Sequence, residues 1–264
     1  MSEPLRGILL DMDGVLYVGD KPVPGAAEAV AWCRQTGIPL RFLTNTSSRP
    51  RAALVEKLAR FGIEAAEAEI LTPPLVARAW LAEHVVGPVA LFVPEATRAE
   101  FSGLPQLADP AAGGAGAVVL GDLGEGWDYP TLNTAFRLLM AEPPPPLVAL
   151  GLTRYWKAPD GLRLDVGPFV RALEYASGRE AVVLGKPARP FFQAALDQLG
   201  LPAAQVLMIG DDIRGDVGAA QAAGLRAALV RTGKFRPKDL EGDIRPDAVL
   251  DSLADLPAWW QKNA

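Results

Sequence analysis

The chain has 264 residues, half of them hydrophobic and 22% charged, with a formal net charge of -5. That length carries one large core or two modest ones, and the acidic balance excludes a general attraction for nucleic acid or anionic membrane. One cysteine, Cys33, excludes an intrachain disulfide, and one histidine, His84, excludes a multi-histidine metal site. His84 follows Ala77, Trp80 and Leu81 at helical spacing and reads as an ordinary helix residue. The chemistry therefore falls to carboxylates, a lysine or hydroxyls. No apolar window approaches the roughly 18 residues of a membrane helix, so the sequence predicts a soluble cytoplasmic protein.

In chain order, residues 5–10 form a short apolar strand that runs into Asp11. A helix is expected over 24–36, started by Pro24 and stopped by Gly37. A second strand over 39–43 ends at Thr44-Asn45. A second helix begins near Ser48-Arg49-Pro50, with Leu54, Leu58 and Phe61 on one face and Gly62 at its end. The middle carries strands over Val89–Val93, Ala117–Leu120 and Leu147–Leu150, with helices near 96–101, 130–141 and 167–177. Beyond it come a strand over Ala181–Leu184, a helix over Arg189–Leu199, and a strand over Val206–Ile209 ending at Gly210-Asp211-Asp212. A helix over Arg214–Ala223 and strands at Ala227–Val230 and Ala248–Leu250 follow. Strands alternating with helices predict an α/β fold, a Rossmann-like parallel sheet core with crossover helices. The core is expected over 1–79 and 181–264, and a smaller inserted α/β cap domain over 80–180.

Four clusters carry chemistry. Asp11 and Asp13 follow a buried strand, where ligands bind in open parallel sheets. Two such carboxylates repel one another unless a cation or a function holds them. Asp211, Asp212 and Asp216 follow a second strand, and helix capping accounts for only one or two of them. Thr44-Asn45-Thr46-Ser47-Ser48 offers hydroxyls and amides at a third strand end, either a phosphate pocket or a helix cap. Lys186, in Gly185-Lys186-Pro187, stands at what the pattern makes a fourth core strand end. Together an oxygen-rich site with one lysine suits magnesium and phosphate.

These four motifs, in this order, resemble the haloacid dehalogenase superfamily of phosphatases. The resemblance implies Asp11 as nucleophile and Asp13 as acid/base. It implies Thr44, the amides near Asn45, and Lys186 as phosphate ligands. It implies magnesium held by Asp11, the Asp13 carbonyl and Asp211, with Asp212 and Asp216 in an outer, orienting shell. About 30 residues separate Asp13 from Thr44, too few for a cap, whereas about 140 separate Asn45 from Lys186. That placement resembles the type-two cap of subfamily IIA. Stretches such as Thr153-Arg154-Tyr155-Trp156, Asp160-Gly161-Leu162, Phe169-Val170, Leu173-Glu174-Tyr175 and Thr232-Gly233-Lys234 are similar to the phospholysine phosphohistidine inorganic pyrophosphate phosphatase branch. The match departs at Asp13, where animal members of that branch often carry serine, and that departure puts their substrate preference in doubt for this chain.

The implied partner is a small phosphorylated substrate, and the sequence leaves monomer or homodimer open. Arg154, Tyr155, Trp156 and Lys157 form a basic, aromatic stretch that either contacts substrate or fills the cap core. A receiver-like signalling module also combines acids, a hydroxyl and a lysine, but its phosphorylated aspartate lies on a middle strand and it needs about half this length. The glycines of Gly121–Gly126 lack the G-x-G-x-x-G spacing of a dinucleotide site.

Overall fold

A parallel strand covered on both faces must be apolar along its whole length, and Gly7–Asp11 and Val206–Gly210 are buried at every position. The computed structural model describes residues 3–158 and 161–264, without the side chains of Lys157 and Ala158. Asp160 lies outside the described residues.

The strands in chain order are β1 (Gly7–Asp11), β2 (Tyr17–Val18), β3 (Lys21–Pro22), β4 (Leu40–Leu43) and β5 (Ile70–Leu71). Next come β6 (Val89–Phe92), β7 (Ala117–Leu120), β8 (Leu147–Ala149), β9 (Tyr155–Ala158) and β10 (Gly161–Leu164). The last are β11 (Val182–Val183), β12 (Val206–Gly210), β13 (Arg226–Val230) and β14 (Ala248–Leu250). The helices begin with α1 (Ala26–Gln35), α2 (Arg51–Arg60), α3 (Pro73–His84), α4 (Glu95–Arg98) and α5 (Tyr129–Leu139). They continue with α6 (Val166–Ser177), α7 (Arg189–Leu199), α8 (Ala219–Ala222) and α9 (Leu256–Asn263).

The larger of two compact units runs up to Thr44 and includes Arg51–Leu71 and Lys186–Ala264. Its six-stranded sheet has the order β14-β13-β12-β1-β4-β5, and all its pairings are parallel. Ile8, Leu10, Phe42, Leu207 and Ile209 pack there with Leu54 and Leu58 of α2. Each fully buried side chain of this kind stabilises the fold by about 1.5–3 kcal/mol. The stretch expected as one helix over 214–223 is a π-helical turn, Ile213–Gly218, followed by the short α8.

The smaller unit comprises Asn45–Pro50 and Thr72–Gly185. Its parallel sheet has the order β11-β8-β7-β6, and β9 and β10 form a separate antiparallel hairpin. Val118, Leu120, Leu138, Leu139, Val170 and Leu173 are among its core residues, and Trp127 stacks between Phe92 and Phe169 at 5.9 and 5.0 Å.

Two expectations need correction. The strand near 181–184 joins the smaller sheet, where Val182 and Val183 pair with Val148 and Ala149. A short apolar run fits either sheet equally, and only pairing decides. The units also divide after Leu71 and after Gly185, with Asn45–Pro50 in the smaller one, rather than at 79 and 180. Among the described residues no helix is long and apolar enough to cross a membrane.

Candidate active site

The strand order of the large sheet reverses beside β1. From β1 the chain steps to β4 and β5 on one side, then returns to β12 on the other. Such a reversal leaves a crevice beyond the carboxyl ends of the strands. Asp11 is the last residue of β1, and Asp211 follows Gly210, the last of β12. The two strands are direct neighbours, with Leu10 paired to Ile209. Strand neighbours lie about 4.8 Å apart, so the two carboxylates are forced together. The π-helical turn brings Asp216 back to them, and oxygens of Asp11, Asp211 and Asp216 all lie within 4.8 Å of one another.

Lys186 joins this cluster. Its Nζ donates to Asp11 Oδ1 at 2.7 Å and to Asp216 Oδ1 at 2.6 Å. Asp11, Lys186, Asp211 and Asp216 are each at most 6% exposed. Lys186 thus sits among the core acids although it does not follow a core strand, as the sequence pattern had placed it.

The loop after β13 supports Asp211. The main-chain N–H of Lys234 donates to Asp211 Oδ2 at 2.7 Å, and the Thr232 hydroxyl donates to the Gly14 carbonyl. Gly14 and Gly233 have φ of 91° and 63°, and a Cβ on either would lie within 2.0 Å of Asp211 Oδ2. The sequence pattern assigns no site role to Gly14, Thr232, Gly233 or Lys234. The sign available was a Thr-Gly-Lys triplet two residues past a predicted strand.

Burial, then the charges of Asp11 and Asp216, push the Asp211 carboxyl up to about 8. Burial and Asp11 push Asp216 up to about 6, with Lys186 opposing. Burial favours neutral Lys186, but Asp11 and Asp216 outweigh it and hold the ammonium charged. Three buried carboxyl groups thus share one buried ammonium, and ionising all three would leave unbalanced buried charge that costs several kcal/mol. Asp211 Oδ1 is buried with no hydrogen-bond partner among the described residues. A hard divalent cation fits this donor set, because it takes carboxylate oxygen and supplies the missing positive charge.

Asp212 caps the π-helical turn, accepting from the Arg214 and Gly215 N–H groups at 3.0 and 2.9 Å. Burial raises its carboxyl, but these bonds and the Lys234 charge outweigh that and leave it below its ordinary value. Asp13 is exposed, Thr44 is buried at the end of β4, and Asn45 belongs to the smaller unit. Ser47 is in that unit too, where its carbonyl accepts from the Thr97 hydroxyl and its hydroxyl from the Asp122 N–H, each at 3.0 Å. Tyr155 and Trp156 are 51% and 41% exposed, so they are not core of the smaller unit. Arg154 lies 6.0 Å from the Tyr155 ring centroid, and the Lys157 side chain lies outside the described part. His84 stacks on Trp80 at 4.7 Å, as a helix residue does.

Buried acids clustered on a lysine, beyond the carboxyl edge of a parallel sheet, mark the class of phosphoryl-transfer hydrolases. Residues 8–104 match the family described as haloacid dehalogenase-like hydrolase, and residues 183–256 match a HAD-hydrolase-like family. The chain is 43% identical over 256 residues to the phospholysine phosphohistidine inorganic pyrophosphate phosphatase of Bos taurus, covering 95% of this chain and 92% of that one. It is 43% identical over 246 residues to haloacid dehalogenase-like hydrolase domain-containing protein 2 of Bos taurus, covering 93% and 91%. The p-nitrophenyl phosphatase from Archaeoglobus fulgidus superposes with a TM-score of 0.89 at 29% identity, covering 97% of this chain and 100% of that one. The chain belongs to the haloacid dehalogenase-like hydrolase family, and it is a phosphohydrolase. That membership excludes a receiver-like signalling module.

Proposed function

We propose that the protein hydrolyses a phosphate ester, phosphoanhydride or phosphoramidate of a small molecule through an aspartyl-phosphate on Asp11. The observation that carries this reading is the buried Asp11 carboxylate, held at 2.7 Å by a lysine that Asp216 fixes from its other side. An oriented carboxylate with one oxygen tethered can present the other to phosphorus.

In the first step Asp11 attacks phosphorus, and the bond to the leaving atom breaks with its electron pair. Asp13 gives that atom a proton. In the second step Asp13 takes a proton from water as the water oxygen bonds phosphorus, and the acyl phosphate bond breaks to regenerate the Asp11 carboxylate and release inorganic phosphate. The exposed position of Asp13 suits a group that must meet both leaving group and water. Thr44, the amides near Asn45, and Lys186 hold the phosphoryl oxygens. Asp11, the Asp13 carbonyl and Asp211 would hold a magnesium ion, which supplies neutralisation of phosphoryl charge. Asp216 orients Lys186, and Asp212 orders the turn that carries Asp216. Arg154, Tyr155, Trp156 and Lys157 select the leaving group, since the core groups recognise only phosphoryl and metal.

The decisive experiment is trapping. Asp13→Asn, given p-nitrophenyl phosphate, should accumulate a phosphate mass adduct on the peptide that contains Asp11. An adduct on any other peptide refutes the assignment.

A further inference from the structure

Lysine is rarely buried, and Lys57 is only 7% exposed. It lies on the core-facing stripe of α2 with Leu54 and Leu58, where an apolar side chain would serve packing better. Its ammonium is instead 3.9 Å from the Tyr17 ring centroid and 3.7 Å from Asp20 Oδ1. Both contacts fall on one small element, the β2–β3 hairpin, whose strands pair Tyr17 with Pro22 and Val18 with Lys21. Phe61, just past α2, packs on the same Tyr17 ring at 5.6 Å.

That hairpin leads back to Asp13. Asp13 itself bridges Tyr17, the Gly14 N–H donates to the Tyr17 carbonyl at 2.6 Å, and the Leu16 N–H donates to the Met12 carbonyl at 2.9 Å. The main chain that carries Asp13 is thus tied on one side to Tyr17 and on the other, through Gly14, to Thr232. An exposed carboxylate at the start of a tight turn inherits its aim from the turn, and a displacement of about 1 Å can cost about a hundredfold in rate.

We infer that Lys57 is a positioning residue: by holding Tyr17 through its ring face, it fixes the turn that aims Asp13 for proton transfer. The attraction of an ammonium to an aromatic face grows when both are shielded from water, as they are here. This inference rests on the acid/base role proposed for Asp13. It predicts a dependence on the leaving group. p-Nitrophenolate departs with little need of a proton, whereas phenolate needs one.

The test measures kcat/KM for p-nitrophenyl phosphate and phenyl phosphate in wild type, Lys57→Met, Lys57→Arg, Asp13→Asn and the Lys57→Met, Asp13→Asn double variant. Lys57→Met keeps the apolar stem and removes the charge. It should lose about tenfold or more on phenyl phosphate, a fraction of what a general acid contributes, and at most about threefold on p-nitrophenyl phosphate. Lys57→Arg should restore most of the loss. In the Asp13→Asn background the substitution should no longer discriminate between the two esters. Equal losses on both esters in Lys57→Met, or discrimination that persists without Asp13, overturns the inference and leaves Lys57 a packing residue. If Asp13→Asn itself shows no preference for the good leaving group, the acid/base assignment falls and takes this inference with it.

Discussion

The two parallel sheets of this protein follow the same packing rules and end differently. In the larger unit the strand order reverses beside β1, and buried Asp11, Asp211, Asp216 and Lys186 fill the crevice. In the smaller unit the order advances steadily from β6 to β11 without reversal, and its candidate recognition residues stand on the separate β9–β10 hairpin. Buried charges are costly and persist where a function holds them, whereas half-exposed aromatics on a hairpin cost the fold little. The contrast teaches that a buried charged cluster and an exposed hairpin are built under different constraints. On the proposed reading, the buried cluster should not change without loss of activity, whereas the hairpin should change without loss of the fold.

The largest effect that bears on this contrast is expected at Asp11. Asp11→Asn should lower turnover of p-nitrophenyl phosphate by more than about a thousandfold, because an amide is not a competent nucleophile. Steady-state kinetics check this, and near-wild-type rates would erase the functional asymmetry between the units. Next is the metal. Excess EDTA should bring hydrolysis to background and magnesium should restore it, with calcium a poor substitute because it tolerates looser geometry.

A third effect concerns stability. The Asp211 carboxyl rises from an ordinary 3.8 to about 8 on folding, so the folded protein binds this proton more tightly than the unfolded chain. Its contribution is fully present below about pH 4 and is lost as pH rises through about 8. Urea unfolding of metal-free protein should therefore show falling stability between pH 6 and 8, and Asp211→Asn should flatten the fall. An unchanged slope in the variant would show that Asp211 is not the strained member of the cluster.

The smallest effect on the fold is expected on the hairpin. Arg154→Ala or Trp156→Ala should change unfolding free energy by about 0.5 kcal/mol or less, as for other exposed positions. The same variants should shift relative kcat/KM among phosphorylated metabolites by about tenfold. A profile across about a hundred substrates, with melting curves alongside, separates the two. Lost stability with an unchanged profile would make the hairpin a structural element like the core.

Much of the larger unit was legible because its information is local. An apolar run that meets Asp11, and another that meets Asp211, announce strand ends with carboxylates whatever the partner strands are. Helices such as α2 and α7 declare themselves through apolar spacing and closing glycines. Ala181–Leu184 was misplaced because four apolar residues carry no address. Spacing groups Asp212 with Asp216, and the carboxylate of Asp212 also caps the turn, a contact that only the folded main chain shows.

By itself the sequence determined the alternation of elements, the residue types at the strand ends and therefore the class of chemistry. Each depends on neighbours a few residues away. Only the tertiary structure decided that Lys186 bridges Asp11 and Asp216, 175 and 30 residues distant, and that the Thr232–Lys234 loop closes on Asp211. It alone placed β11 in the smaller sheet and Lys57 against Tyr17. Contacts between residues far apart in the chain are set by which surfaces bury together when the sheet forms, and no local pattern encodes that choice.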